Sequence, residues 1–484
     1  MNHKPNAKTP TPAGTPACTQ SVSRDSNASS PTHTSFSQPS TYKVSFISLG
    51  CAKNLVDTQL MAGSLIKNGL SLSPTPDQAD VLVVNTCAFI EDAREEACEA
   101  IEEACNIKKS GQCRAVIVTG CFAQRYKQDT LDRFPNVDAV LGLDNIDQLA
   151  ETVREVMAGQ KKILRVDPAA KKLFNPDVPG IVFTGGPFAY LKIAEGCNHA
   201  CAFCTIPSIR GRYRSRPIKD LVAEAEQLLE NGRKELNLIA QDTTSYGKDL
   251  PGNVDICGLL KALSEIGGEF WIRILYSYPP RINRKLLECI SSLPRVVPYI
   301  DVPVQHSHPD ILEKMKRGNT ARQVQNMVGF IRKNLPGATV RTTCLVGFPG
   351  EEDRHFEHLA EYVETQQFDH LGVFAYSPEE GTPAEQMAGR PPKAVAEERR
   401  DIIMNIQRDI VNKINSNLIG SPASALLESQ TEEAGSWVGR TQRFAPEVDG
   451  IALINDVPEN SSPGDIIPVT YTDEAGYDMI TTAR

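Results

Sequence analysis

No stretch of this chain stays apolar for anything near the roughly 20 residues needed to cross a bilayer. Its first residues do not run from a charged segment into an apolar one as a secretion signal does. A membrane protein is therefore not expected, and the chain reads as cytoplasmic. Lysine is missing altogether from residues 416–484, where eleven Asp or Glu face three Arg. The net charge of −8 there makes up almost all of the −9 carried by the whole chain. Such a surface repels phosphates and attracts a basic protein, unless it is simply a solvated acidic face. Large apolar side chains are scarce at the start, where residues 1–40 hold fourteen Ser or Thr and six Pro. Residues 1–41 are expected to form a disordered tail, too poor in apolar surface to offset its ordering entropy. The tail is Ser-rich and acid-poor like a transit peptide, but Arg24 is its only arginine and it shows no amphipathic period. Cys18, inside it, is given no role.

What remains is ordinary globular material, 40% hydrophobic and 23% charged, in a chain of 484 residues that is too long for one core. Thirteen cysteines are an odd number that cannot pair completely, and in an intracellular chain they point to metal or redox chemistry before disulfides. Cys197, Cys201 and Cys204 form a C-x3-C-x2-C triplet in AEGCNHACAFCTIPSIRGR. Three thiolates on one short loop can hold three irons of a 4Fe-4S cube and leave the fourth open to a small chelating molecule. Zinc is the competing ion, but it takes four ligands or three plus water, and no second couple lies nearby. The spacing also departs from the ferredoxin runs, and no fourth Cys is adjacent, which disfavours plain electron transfer. The run AYLKIAEGC reads as a strand emptying into this loop, at the strand end where α/β enzymes place their chemistry.

Residues 42–159 read as a parallel α/β domain. KVSFISLG, VLVVNTC, AVIVTGC and DAVLGL are short, continuously apolar strands with amphipathic helices between them. Cys51, Cys87 and Cys121 each follow such a strand. Because strand ends gather on one edge of a parallel sheet, the three thiols are expected to converge and to suit a second iron-sulfur cluster. The alternative is that each is a small buried hydrophobe finishing its strand. Cys98 and Cys105, seven apart on one helix, are assigned to packing. Cys113, Cys257, Cys289 and Cys344 lack partners at ligand spacing and are assigned structural roles.

Residues 183–415 alternate strand and helix six times, which implies a barrel or an incomplete (β/α) barrel. Its carboxyl edge would gather the cysteine loop with QDTTSYG, PVQHSH and GFPGEE. The last motif suits an anion or cofactor backbone, and equally a Gly-Pro turn capping a helix. His306 and His308 are of a ligand type, but in such a loop they are more often ordinary hydrogen-bonding groups. Residues 416–484 alternate in strand fashion between turns and are read as a small antiparallel β-barrel.

With Phe203 just before its last Cys, the triplet resembles that of the radical S-adenosylmethionine superfamily. The resemblance implies that the cofactor's methionine end chelates the open iron and that reduction yields a 5'-deoxyadenosyl radical. From about Tyr42 to Arg484 the whole arrangement resembles the methylthiotransferases, with three separated N-terminal Cys, a radical core and a TRAM-type terminal domain. SLGCAKNLVDTQ, CAFCTIPSIRG and APEVDG resemble the branch that modifies an aspartate of small-subunit ribosomal protein twelve. The branch that modifies adenosine in transfer RNA typically shows a GCQMN-like first motif and a more basic terminal domain, and neither is present.

The resemblance implies two 4Fe-4S clusters, one on Cys197, Cys201 and Cys204 and an auxiliary one on Cys51, Cys87 and Cys121, with S-adenosyl-L-methionine. It implies a basic ribosomal protein or subunit as partner, an electron donor, and no direct nucleic-acid substrate. The reaction implied replaces C–H by C–S–CH3 on an aspartate β-carbon, where no acidic proton invites base catalysis and radical abstraction is the sensible route. Gln241, Asp242, Gln305 and Arg341 are expected as cofactor or substrate contacts, or else as strand-end hydrogen-bonding groups. No catalytic side chain is singled out. A transfer-RNA methylthiotransferase and a non-catalytic iron-sulfur scaffold on the ribosome are the competing readings.

Overall fold

Continuous apolar runs bounded by turns build the N-terminal sheet. In the computed structural model, which describes residues 42–111, 113–173, 181–317 and 321–484, the sheet has six parallel strands. The expected disordered tail, with Cys18, lies outside the described residues. Across the sheet run Ser71–Leu72, Lys43–Ser48, Val81–Thr86, Ala115–Gly120, Ala139–Leu141 and Ile163–Arg165. The two central strands, Val81–Thr86 and Ala115–Gly120, are buried along their whole length, as a parallel strand covered on both faces must be. Ser71–Leu72 and Ile163–Arg165 were not expected; they are edge strands too short to show a period. Helix Glu91–Lys109 buries Ala97, Cys98, Ile101, Ala104 and Cys105, confirming the packing role of both cysteines.

The central region carries six parallel strands in two arcs. One arc comprises Phe188–Lys192, Glu235–Ile239 and Trp271–Ile274, and the other Tyr299–Asp301, Thr339–Val346 and His370–Ala375. The arcs meet through the Ile272 and Val296 bridge, while among the described residues Phe188–Lys192 and His370–Ala375 have no strand partner on their outer sides. This is an incomplete barrel. Alternate residues such as Leu191, Leu236, Ile272, Ile300 and Val340 pack in the large apolar core with the helices. Those between them, Tyr190, Lys192, Glu235, Arg273, Tyr299 and Arg341, take the opposite side.

Helix Lys393–Leu418 leads into a closed five-stranded barrel, Pro422–Gln430, Trp437–Thr441, Ala452–Asn455, Ile466–Ala475 and Asp478–Ala483. This is the small β-barrel expected, antiparallel except that Ala452–Asn455 and Asp478–Ala483 run parallel. A bulge between Leu427 and Ser429 breaks the alternation of the first of these strands. No helix of the described residues is long and apolar enough to cross a membrane.

All three regions share one apolar cluster, in which Val56 of the N-terminal sheet domain meets Tyr190, Ile239, Trp271 and Tyr299 of the core and Leu426 and Ala445 of the terminal barrel. Buried charges reinforce the last junction. Glu235 accepts from Arg273 at 2.7 Å and pairs with Arg440 at 2.6 Å. The APEVDG loop is spent in the same way: Tyr190 donates to Glu447 at 2.6 Å, and Tyr299 donates to Asp449 at 2.6 Å. Part of the acidity of residues 416–484 thus holds the chain's own core rather than facing a partner.

Candidate functional site

The three strands that precede Cys51, Cys87 and Cys121 are direct neighbours in the sheet. Their ends are pinned by amides. Asn54 donates to the carbonyls of Leu49, Asn85 and Thr86, and Asn85 donates back to Asn54 O at 2.8 Å. Glycine precedes two of the thiols because nothing larger fits. A Cβ on Gly50 would lie 2.7 Å from Cys87 Cβ, and one on Gly120 would lie 2.4 Å from Asn85 Oδ1. Both glycines sit at positive φ.

The thiols sense one another. Burial raises Cys121 to about 12 against the pull of Arg210, with Cys87 and Cys51 adding to the rise. Cys87 is raised by burial and by Cys51. Cys51 opens to solvent. Desolvation, which would raise its thiol, is outweighed by Lys53, Arg210 and two backbone N–H groups at the start of helix Ala52–Lys67, and the net shift is downward.

The triplet loop is built differently. Cys197 follows Gly196, whose missing Cβ would lie 2.2 Å from Arg212 O, and its own N–H donates to Gly211 O at 3.1 Å. Ala202 is tied to Met315 O at 2.9 Å, and Arg317 donates to Cys201 Sγ at 3.4 Å and to Pro303 O at 2.9 Å. His199 N donates to Cys197 Sγ, and its ring lies 3.9 Å from that of Tyr278 and bonds Asp242 Oδ2 at 2.7 Å. Burial raises Cys197 to about 11 and Cys204 to about 12. Phe203 meets Phe348 edge to face at 6.5 Å.

Each set offers three free thiols, the donor type that ligates an iron-sulfur cluster. Among the described residues His308, Asp310 and His355 bring ligand atoms within 4.8 Å of one another. This histidine group is a poor zinc site, because Nδ1 of His308 and of His355 each accepts a backbone N–H. The other ring nitrogen then carries the proton and has no lone pair to offer. His306 likewise accepts from His308 N and faces Glu351, so the ordinary hydrogen-bonding reading of His306 and His308 stands. GFPGEE resolves into a helix entry, with Glu352 and His355 forming a capping box on Asp353–Gln366.

A joint of four buried charges, unforeseen from the sequence, connects the two thiol sets. Arg210 ends the short helix that follows the triplet and forks onto Glu195 at 3.2 and 3.1 Å, while its other nitrogen reaches Asp57 at 3.0 Å and Asn54 at 3.4 Å. Lys192 pairs with Asp57 and with Glu195. Lys53, two residues after Cys51, sits 4.0 Å over the Tyr276 ring at the carboxyl end of strand Trp271–Ile274. The N-terminal thiols therefore border the same barrel edge as the triplet. Charged residues inside the apolar patterns AYLKIAEG and KNLVDTQL were the available signal.

The other expected contacts divide. Gln241 has both amide atoms buried without a partner, a polar group open to a ligand. Asp242 is occupied by His199, Thr244 and Ser245, and so positions the loop. Gln305 takes φ +69° and bridges to Cys344 through its backbone. Arg341 pairs with Asp301 and Asp449 at 3.3 Å each.

Three segments of the chain match known family models. Residues 43–142 match the uncharacterized protein family UPF0004, 191–363 the radical SAM superfamily, and 419–483 the TRAM domain. A ribosomal protein uS12 methylthiotransferase RimO of Trichlorobacter lovleyi is 40% identical over 440 residues, 90% of this chain and 97% of that one. One from Anaeromyxobacter sp. (strain K) is 44% identical over 433 residues, 89% and 91% of the two chains. Among solved structures, the radical S-adenosylmethionine methyltransferase TsrM from Kitasatospora setae, with cobalamin and a [4Fe-4S] cluster bound, superposes with a TM-score of 0.55 at 14% identity. It spans 72% of this chain and 74% of that one, a likeness of fold. The chain belongs to the ribosomal protein uS12 methylthiotransferase (RimO) family of radical SAM proteins.

Proposed function

We propose that the protein attaches a methylthio group to the β-carbon of an aspartate in ribosomal protein uS12. In this reading Cys197, Cys201 and Cys204 hold one 4Fe-4S cluster and Cys51, Cys87 and Cys121 hold a second. The observation that carries it is the placement of both thiol sets at one barrel edge, joined through Arg210. S-adenosyl-L-methionine bound beside a reduced cluster on Cys197, Cys201 and Cys204 would supply radical chemistry able to act on an unactivated carbon.

The chain's own residues do the rest. Asp242 and Arg317 hold the triplet loop through His199 and Cys201. Gln241 offers an unpartnered amide donor and acceptor to cofactor or substrate. Cys121 and Cys197 are buried, while Cys51 opens to solvent where a substrate side chain can approach. The acidic residues of the terminal barrel left free of the core present negative charge to a basic ribosomal protein. The work takes place in the cytoplasm, with an electron donor.

The test is anaerobic incubation of the reconstituted protein with reductant, S-adenosyl-L-methionine and uS12, followed by mass spectrometry. A methylthio group on an aspartate is expected. Cofactor cleavage with no adduct on uS12, or an adduct on transfer RNA instead, would overturn the proposal.

A further inference from the structure

The N-terminal domain is tied to one outer strand of the incomplete barrel at Lys192, which ends Phe188–Lys192 and pairs with Asp57. A second buried tie lies beyond the other outer strand, His370–Ala375, in the segment that leaves it. Glu379, whose side chain is 2% exposed, pairs there with Arg94 and, at 2.7 Å, with Arg125. Ser377 Oγ donates to Glu379 at 2.7 Å and accepts the backbone N–H of Glu91 at 3.1 Å. Arg125 also donates to Glu380 O at 3.3 Å.

Both arginines stand close to the N-terminal thiols along the chain. Arg94 is in the first turn of helix Glu91–Lys109, which follows Cys87, and Arg125 is in helix Cys121–Tyr126, which Cys121 opens. Arg125 donates in addition to the carbonyl of Ala88, the residue after Cys87, at 3.0 Å. The same segment reaches the triplet loop at its other end. Ala384 N donates to Ala202 O at 2.9 Å, and Tyr376 and Ala384 pack with Ala202 and Phe203. Thr382 joins the two ends, its N–H and its hydroxyl both donating to Glu379 O. Residues 376–384 therefore run from the triplet loop to the strand ends of Cys87 and Cys121.

We propose that Glu379 is a positioning residue for the reaction: through Arg94 and Arg125 it fixes the strand ends of Cys87 and Cys121 against the triplet loop, so that cofactor cleavage at the loop leads to methylthio transfer. This rests on the reading that both thiol sets take part in methylthiolation. Neutralising the carboxylate leaves two largely buried guanidinium groups without their acceptor and loosens the domain at one of its two ties. A misplacement of about 1 Å between reacting groups can cost about 100-fold in rate, so a loosened tie shows in product before it shows in folding.

The test uses the full-length, anaerobically reconstituted chain with reductant, S-adenosyl-L-methionine and uS12. Iron content, 5'-deoxyadenosine and methylthio product are measured for the parent, for Glu379→Gln and for Asp138→Asn. The Gln amide keeps the shape of the side chain but sets N–H donors against the arginines. Asp138 is the control, a carboxylate also 2% exposed that pairs with Lys108 and Lys161 within the N-terminal sheet domain. Glu379→Gln is expected to keep the parent's iron while product falls about tenfold or more, so that the ratio of 5'-deoxyadenosine to product rises. Asp138→Asn is expected to lower thermal stability and leave the ratio at the parent's, because loss of folded enzyme lowers both outputs together.

A parental ratio in Glu379→Gln would overturn the proposal, and so would loss of its iron with both outputs falling in parallel. An equal rise in Asp138→Asn would make the ratio a measure of stability alone and overturn it too. If Glu379→Gln does not fold, Arg125→Gln carries the test from the other side of the tie. The ratio should rise there as well, and a parental ratio overturns the proposal. A parent that forms no methylthio product removes the functional reading itself, and the proposal with it.

Discussion

The triplet gathers its thiols within residues 197–204, whereas Cys51, Cys87 and Cys121 come from strand ends 36 and 34 residues apart. One site is a loop held from outside, by Asp242 through His199 and by Arg317 at Cys201. The other is assembled by a parallel sheet, whose register and amide pins bring the sulfurs together. The loop site therefore depends on a few side-chain contacts and the sheet site on the whole N-terminal domain. They share one device, a glycine at positive φ directly before a ligand-type Cys, at Gly50, Gly120 and Gly196. At each, backbone or a neighbouring thiol occupies the space a Cβ would need.

The sharpest way to break the comparison is to remove one thiol from each set. Cys201→Ala should abolish cleavage of S-adenosyl-L-methionine and product together. Cys121→Ala should abolish product while cleavage continues, as read by chromatography of 5'-deoxyadenosine and mass spectrometry of uS12. Product from Cys121→Ala would remove the N-terminal set from the reaction.

A second pair separates the sites without touching a sulfur. Gly120→Ala would place a Cβ 2.4 Å from Asn85 Oδ1 at φ +93°, and Gly196→Ala one 2.2 Å from Arg212 O at φ +74°. Backbone strain of about 1–3 kcal/mol and overpacking of about 1–3 kcal/mol are expected in each. Iron analysis with electron paramagnetic resonance should show Gly120→Ala losing the N-terminal signal and Gly196→Ala the loop signal. Loss of both signals in either variant would mean the two sites do not fold separately.

The smallest effect tests the outside hold on the loop. Burial would raise the Asp242 carboxyl, but hydrogen bonds from His199, Ser245 and Thr244 outweigh it and hold it below the usual range. A depressed carboxyl contributes its full stabilisation above the ordinary value of about 3.9 and loses it as pH falls through the lower folded value. Asp242→Asn should therefore cost about 1.5–3 kcal/mol at neutral pH. Thermal midpoints of the iron-free variant and parent should converge on acidification through that window, and a constant gap would contradict the assignment.

Much of this was legible in the sequence for a simple reason: local pattern encodes it. The apolar runs ending in NTC and VTGC marked buried strands with thiols at their ends, and the C-x3-C-x2-C spacing marked the loop. The joint between them was not legible. Lys192 and Arg210 reach Asp57 across 135 and 153 residues, and no local period reports a pairing that distant. A bulge breaks the alternation of strand Pro422–Gln430, and GFPGEE opens a helix through a capping box, a geometry compatible with both readings of that motif. The acidic tally of residues 416–484 was correct as a count, but it did not show that Glu447 and Asp449 turn inward to Tyr190 and Tyr299.

The central claim is that each thiol set holds its own four-iron cluster. Iron and sulfide analysis of the anaerobically reconstituted chain tests it most directly, beside two triple-alanine variants, one for each set. The account predicts about eight irons in the parent and about four in each variant, with distinct paramagnetic signals. About four irons in the parent, and none once Cys197, Cys201 and Cys204 are removed, would contradict it.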